Sequence, residues 1–339
     1  MRKLTDNLLY WYKDNKRNLP WRIKKNTKIP YYVWLSEIML QQTNASTVIA
    51  HYKKFISKWP TINHLSEAKL NDVLLIWQGL GFYNRAINLH KTARIICLKY
   101  NGIVPKRYED LSSLPGVGDY TAKAIMSIAY KKKVIGIDVN IKRVTSRVFG
   151  LDSHNIKKIN QKLSALIPEN RSDDFMQALM DIGAVICQKR KVNCLICPLK
   201  INCKFFKNKN KLKNSFSNTK IKKKFLFIFL MKYKNQIILK KRKNTKFLNN
   251  LMEIPNILLS KKISLLSAKK QAPIKLNWVS EPEKLFINIS NFNLEIRCFT
   301  TNLNQKILLK NTKWLSTKNI NKVPVSSLMK KILFHLKLI

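Results

Sequence analysis

Apolar and polar positions follow two different rhythms along the chain. From residue 1 to about 205, apolar residues recur at helical spacing between short polar breaks, and all eight glycines fall in this stretch. Beyond it come strand-like runs, "FLFIFLMKY", "QIILKK" and "LFINIS…FNLEIRCFT". Residues 207–224, "KNKNKLKNSFSNTKIKKK", are basic and weakly apolar, the composition of a linker. The pattern therefore predicts an α-helical domain followed by a smaller α+β domain, with no internal repeat. The longest apolar run, "FLFIFL" at 225–230, is too short to cross a membrane, and the N-terminus lacks the apolar segment of a secretory signal. A cytosolic protein is expected.

One helix is specified in some detail. Starting near Pro30, a good first-turn residue, it places Val33, Trp34, Glu37, Ile38, Leu40 and Gln41 on one face less than 180° wide. Glu37 then lies in an apolar stripe, where a carboxylate is costly unless protonated or paired. Its pKa should be raised, as a general acid requires. The alternative is a Glu at the edge of the stripe, reaching solvent or paired with a lysine.

Two glycines in "LPGVGDYT", Gly116 and Gly118, precede the helical pattern "TAKAIMSIAY" and predict a hairpin between two helices. Glycine there allows positive φ and lets backbone amides approach a phosphate closely, although a helix cap with a tight turn explains the pair equally well. Asp138, just before "VNIKRV", is either a helix N-cap or a second functional carboxylate.

Charge and cysteines narrow the chemistry. Lys plus Arg total 65 against 18 Asp plus Glu, a net charge of +47, which points to a polyanionic partner. Only 12 of the 65 are Arg, and Asn and Ile are also plentiful, so part of the excess reads as drift in a genome rich in A and T. Four of the six cysteines, Cys187, Cys194, Cys197 and Cys203, fall within 17 residues. In a reducing compartment this is a metal site rather than a disulfide set. The spacing C-x6-C-x2-C-x5-C lacks paired C-x2-C knuckles and suits a 4Fe-4S cluster, with zinc as the alternative.

"LPGVG", an Asp twenty residues after its last glycine in "GIDVNIKRV", and "MDIGAVIC" leading into the cysteines together resemble the endonuclease III superfamily of helix-hairpin-helix DNA glycosylases. Within it, "PWR", "PYYVWLSEIMLQQT" and "WQGLGFYNRAINLHK" closely resemble adenine DNA glycosylases of the MutY type, over about residues 4–205. The resemblance implies a mainly α, two-lobed fold: a six-helix lobe over about 22–132, and a cluster lobe from 1–21 and 133–205. A basic linker over 206–224 and a smaller C-terminal α+β MutT/Nudix-like domain over 225–339, reading 8-oxoguanine, would follow.

The function implied is a monomeric base-excision-repair enzyme, cytoplasmic and associated with the nucleoid. It would bind duplex DNA and remove adenine mispaired with 8-oxoguanine or guanine. Glu37 would protonate the adenine and Asp138 would stabilise the oxocarbenium ion, with Asn140 and Tyr120 beside them. Lyase members carry a lysine at the Tyr120 position, so the chain reads as monofunctional. A bifunctional glycosylase/lyase and a non-catalytic iron-sulfur DNA-binding module are the alternatives.

For DNA, the resemblance implies contacts by Arg22, Gln41, Gln42, Thr43, Gly116, Gly118 and Arg143. Phe82 would act as a wedge supported by Tyr83, with core packing of "GFY" as the alternative. Ser290 and Asn291 would face 8-oxoguanine. The chain departs from the family pattern at Val139, where Gly is usual. It departs again at Asp119, a carboxylate beside the hairpin, and in a C-terminal domain, 225–339, without glycine.

Overall fold

The computed structural model describes residues 2–22, 29–208, 222–242, 250–289 and 292–339. The chain forms two compact units, one from Met1–Ala68 with Asn88–Ser215, the other from Lys69–Ile87 with Phe216–Ile339. The helical run expected to be continuous thus lends the stretch Lys69–Ile87 to the second unit.

The first unit is helical throughout its described residues. Helices Arg2–Asn15, Val139–Phe149, Ile156–Ser164 and Ser172–Asp181 close over one core in which Leu8, Ile141, Ile159, Phe175 and Ile182 are fully buried. Local chemistry sets the ends of Val139–Phe149. The Asp138 side chain accepts from the Ile141 amide at its start, and Gly150 takes the left-handed conformation, φ 62°, at its end.

Helix Ile29–Leu40 differs from the predicted stripe. Every residue from Tyr31 to Met39 is buried, including Leu35, Ser36 and Met39, which lie off the expected face. The helix is surrounded, so Glu37 has no edge from which to reach solvent.

The second unit is built on a twisted mixed sheet. Its strands are β1 (Lys222–Tyr233), β2 (Gln236–Lys241), β3 (Met252–Glu253), β4 (Asn256–Leu259), β5 (Val279–Ser280), β6 (Leu285–Ile289), β7 (Phe292–Asn302) and β8 (Thr312–Ser316). They run β3-β2-β1-β7-β5, with β4 on β1, β6 on β7 and β8 on β2. The unbroken apolar run of β1 is explained by its central place. Leu226, Ile228 and Leu230 face a core closed by helix Ser327–His335, while Phe225, Phe227, Phe229 and Met231 face another around Trp278 and Phe299. β1 and β7 run parallel, pairing Phe229 with Phe299, whose rings stack 5.4 Å apart.

Candidate active site

A cavity of about 710 Å³ in the first unit is lined by Glu37, Gln41, Gln42, Thr43, Tyr120, Asp138, Asn140, Arg17, Arg22 and Arg143, among others. Residues as far apart in sequence as Arg17 and Arg143 therefore meet around one space.

Glu37 is 4% exposed. The Tyr120 hydroxyl donates to its carboxyl. Burial, reinforced by the negative charge of Asp138, pushes the Glu37 pKa up to about 7, against the opposing pull of the Tyr120 hydrogen bond and of Arg22. Tyr120 itself is driven well above its ordinary value, first by burial and then by the two carboxyls, so it remains a neutral phenol.

Asp138 fills the capping role and also lines the cavity. Its Oδ1 accepts from the Ile141 amide at 2.6 Å as an N-cap, and its Oδ2 accepts from Asn140 Nδ2 at 2.8 Å. Burial raises its pKa, while the bonds from Ile141 and Asn140 and the charge of Arg143 pull the other way. Val139, where glycine is usual, follows it as an exposed first helical residue and leaves this cap intact.

Arg143 is placed differently from a phosphate contact. Its guanidinium donates to Asn140 Oδ1 at 2.8 Å and to the carbonyls of Cys187 and Gly183 at 2.8 and 2.7 Å. It holds Asn140 against Asp138 and ties both to the segment leading into the cysteines. A Cβ at Gly183 would lie 2.5 Å from Asn140 Cβ, so only glycine lets these backbones approach. Sequence reasoning passed over Gly183; its signal was one glycine inside an apolar helical run.

Arg22, expected to contact DNA, is instead held by Asp181. Its two terminal nitrogens donate to the Asp181 carboxylate at 2.7 and 2.9 Å, and Arg17 Nε joins at 2.5 Å. Asp181 is fully buried. Burial alone would raise its pKa, but the two guanidiniums outweigh that and hold it below the usual carboxylate range. Two cations around one anion leave the cavity wall with net positive charge. Asp181 and Arg17 also escaped the sequence reading, where a lone Asp in an apolar helix was the available sign.

The hairpin joins helices Tyr108–Ser112 and Asp119–Ile128. Gly116 has φ 81°, and a Cβ there would press on Asn88 Cβ at 3.0 Å. Gly118 takes an ordinary φ of −90°, with nothing within 4 Å of an added Cβ. Of the pair, only Gly116 needs left-handed backbone, whereas Gly118 leaves an open approach to the turn. Thr92 Oγ1 donates to Pro115 O at 2.9 Å and Gln41 Nε2 to Gly116 O at 3.2 Å, which fixes the turn from two helices. Asp119 is neutralised locally: Lys123 Nζ lies 2.7 Å and the Tyr108 hydroxyl 2.9 Å from its Oδ1. Gln42 is exposed at φ 56°, and Thr43 Oγ1 donates to Gln41 O at 3.3 Å.

Cys187, Cys194, Cys197 and Cys203 line one small pocket with Val144, Ile186 and Leu199, and none is in a disulfide. Among the described residues no three His, Cys, Asp or Glu side chains converge as ligands of a single ion would. Four thiols lining one pocket are the kind of donor set an iron-sulfur cluster takes, one thiolate to each iron. Arg147 donates to Cys187 Sγ at 3.3 Å and to Gln188 O at 2.8 Å. This too is a structural engagement.

In the second unit, Phe82 is 49% exposed at φ 44°, while Tyr83 is buried. Tyr83 can therefore support Phe82 but not touch DNA as folded. Ser290 and Asn291 lie outside the described residues. No helix among the described residues is long and apolar enough to cross a membrane.

The family described as HhH-GPD superfamily base excision DNA repair protein matches residues 35–169, which carry Glu37, the hairpin and Asp138. Among solved structures, a thermostable thymine-DNA glycosylase is 31% identical, covering 60% of this chain and 94% of that one with a TM-score of 0.55. A trapped endonuclease III–DNA covalent intermediate shares the fold at a TM-score of 0.53 and 24% identity, covering 61% of this chain and 96% of its own. The adenine DNA glycosylase of Buchnera aphidicola subsp. Baizongia pistaciae is 40% identical over 321 residues, which is 88% of this chain and 90% of that protein. Within the helix-hairpin-helix superfamily, the chain belongs to the adenine DNA glycosylases.

Proposed function

We propose that the protein is a monofunctional adenine DNA glycosylase acting on duplex DNA with adenine opposite 8-oxoguanine or guanine. The adenine would leave the stack and enter the cavity around Glu37. One observation carries this reading: two carboxyls share that cavity, and burial pushes the one on Glu37 up to about 7. Glu37, at about 7, holds a proton near neutral pH and delivers it to the departing adenine. Asp138 is raised as well, but the bonds from Ile141 and Asn140 favour its ionised form, and it faces the positive charge that grows on the sugar. Water then adds at the anomeric carbon, leaving an abasic site.

Absence of an amine at position 120 supports a hydrolytic outcome. Lys123, one turn on, is tied to Asp119 and does not line the cavity. Asn140, held by Arg143, orients Asp138.

Gln41, Gln42 and Thr43 sit on the cavity rim, as minor-groove contacts require, and the open turn at Gly118 offers amides to a phosphate. Arg22 and Arg143 act in this reading through the site's charge and alignment rather than by gripping phosphates. The four cysteines would hold a 4Fe-4S cluster, whose contribution is to cross-link the loop between residues 187 and 203. The sheet unit is proposed to read the base opposite adenine, with Ser290 and Asn291 as its contacts.

A duplex with one adenine opposite 8-oxoguanine tests the reaction type. Adenine release is expected, with strand breaks after alkali alone; a covalent adduct trapped efficiently by borohydride would contradict the hydrolytic reading.

A further inference from the structure

The turn carrying Phe82 is strained and held from several sides. Gly79, Gly81 and Phe82 all have positive φ, 106°, 69° and 44°, and Phe82 has a side chain to accommodate there. A non-glycine residue in that region is strained and persists only where neighbours enforce it.

From within, Trp77 Nε1 donates to Gly81 O at 3.0 Å, and Arg85 donates to Leu80 O and Gly81 O at 2.9 and 3.3 Å. The Arg85 guanidinium lies 5.6 Å from the Phe82 ring centre. These contacts shape the turn.

Two hydrogen bonds anchor the turn to the strap Val323–Ser326 of the same compact unit. The buried Tyr83 hydroxyl, next in the chain to Phe82, donates to Val325 O at 3.3 Å. Gln78 Nε2 donates to Val323 O at 3.2 Å. On its other side the strap is fixed to the sheet, where the Met252 amide donates to Pro324 O at 2.8 Å. Ser326 ends it by capping helix Ser327–His335, accepting from Met329 N at 3.2 Å.

We propose that Tyr83 and Gln78 are positioning residues that let the C-terminal sheet set the posture of Phe82. Tyr83 is the closer link, since its one hydroxyl joins the turn to the strap. The inference rests on the reading of Phe82 as the wedge that enters the stack. It adds that the C-terminal unit governs wedge insertion mechanically, independently of any contact it makes with the opposing base.

A double-mutant cycle in the full-length protein tests this. Phe82→Ala, Tyr83→Phe and the double variant are compared by single-turnover adenine release and by the fluorescence of 2-aminopurine placed beside the mismatch, which reports unstacking. Tyr83→Phe is expected to lower both readouts about fivefold, the value of one hydrogen bond, with the melting temperature unchanged. In the Phe82→Ala background it should cost nothing more, because its effect passes through Phe82. Gln78→Leu should show the same loss and the same non-additivity.

An undiminished Tyr83→Phe variant, or an equal loss with and without Phe82, would overturn the proposal. Should Phe82→Ala itself leave the 2-aminopurine signal intact, the wedge reading fails instead, and the two failures are told apart by that single variant.

Discussion

The Tyr120 hydroxyl donates to the Glu37 carboxyl deep in the helical unit, where a lyase would need an amine at the Tyr120 position. The phenol steadies the acid without being able to attack the sugar. Gly136 packs against the same tyrosine; a Cβ there would meet Tyr120 O at 2.8 Å. The pair is thus fixed from behind, and its geometry belongs to the fold rather than to a flexible rim.

Glu37→Gln is expected to abolish adenine release and leave duplex affinity within about twofold, since the amide keeps the shape but carries no acidic proton. The same variant should be more stable than the parent at pH 8. Folding raises the Glu37 pKa from 4.5 to about 7, so the stability this group contributes is complete below 4.5 and is lost as pH rises through about 7. A shift of that size corresponds to roughly 3 kcal/mol, which the variant should gain over the parent between pH 5 and 8 in urea unfolding. Equal stability at both pH values would mean that Glu37 titrates normally.

Asp119→Asn should tighten duplex binding about fivefold at low salt and steepen the salt dependence by about one ion. It removes a negative charge from beside the hairpin and releases Lys123. Unchanged binding would place Asp119 off the path of the DNA backbone.

What could be read beforehand was local. The Asp138 cap, the positive φ at Gly116 and the strand character of β1 depend on neighbours within a few residues, which a single sequence displays. The partners that were not legible lie far away in sequence. Arg22 meets Asp181 across 159 positions and Arg143 meets Cys187 across 44, so both looked free for phosphate until folding supplied their partners. Tyr83 and Val325 are 242 positions apart, and no periodicity could have joined Lys69–Ile87 to the C-terminal sheet. Helix Ile29–Leu40 misled in a milder way. Its apolar stripe was expected to cover one face, yet Leu35, Ser36 and Met39 outside that face are buried too, because the helix is covered all round.

Native protein should be brown, with about four irons per chain, and Cys197→Ser should lose both colour and thermal stability. Iron and visible absorbance measured on the same preparation check this. A colourless protein carrying zinc would contradict the cluster.

Single-turnover adenine release measured against pH tests the role of Glu37 most directly. The proton donor must be protonated and Asp138 ionised, so the rate should hold near neutrality and fall about tenfold per pH unit above an apparent pKa of about 7. On the acid side it should fall as Asp138 gains a proton. A rate that stays level from pH 6 to pH 9 would contradict a buried, protonated Glu37 as the acid that releases adenine.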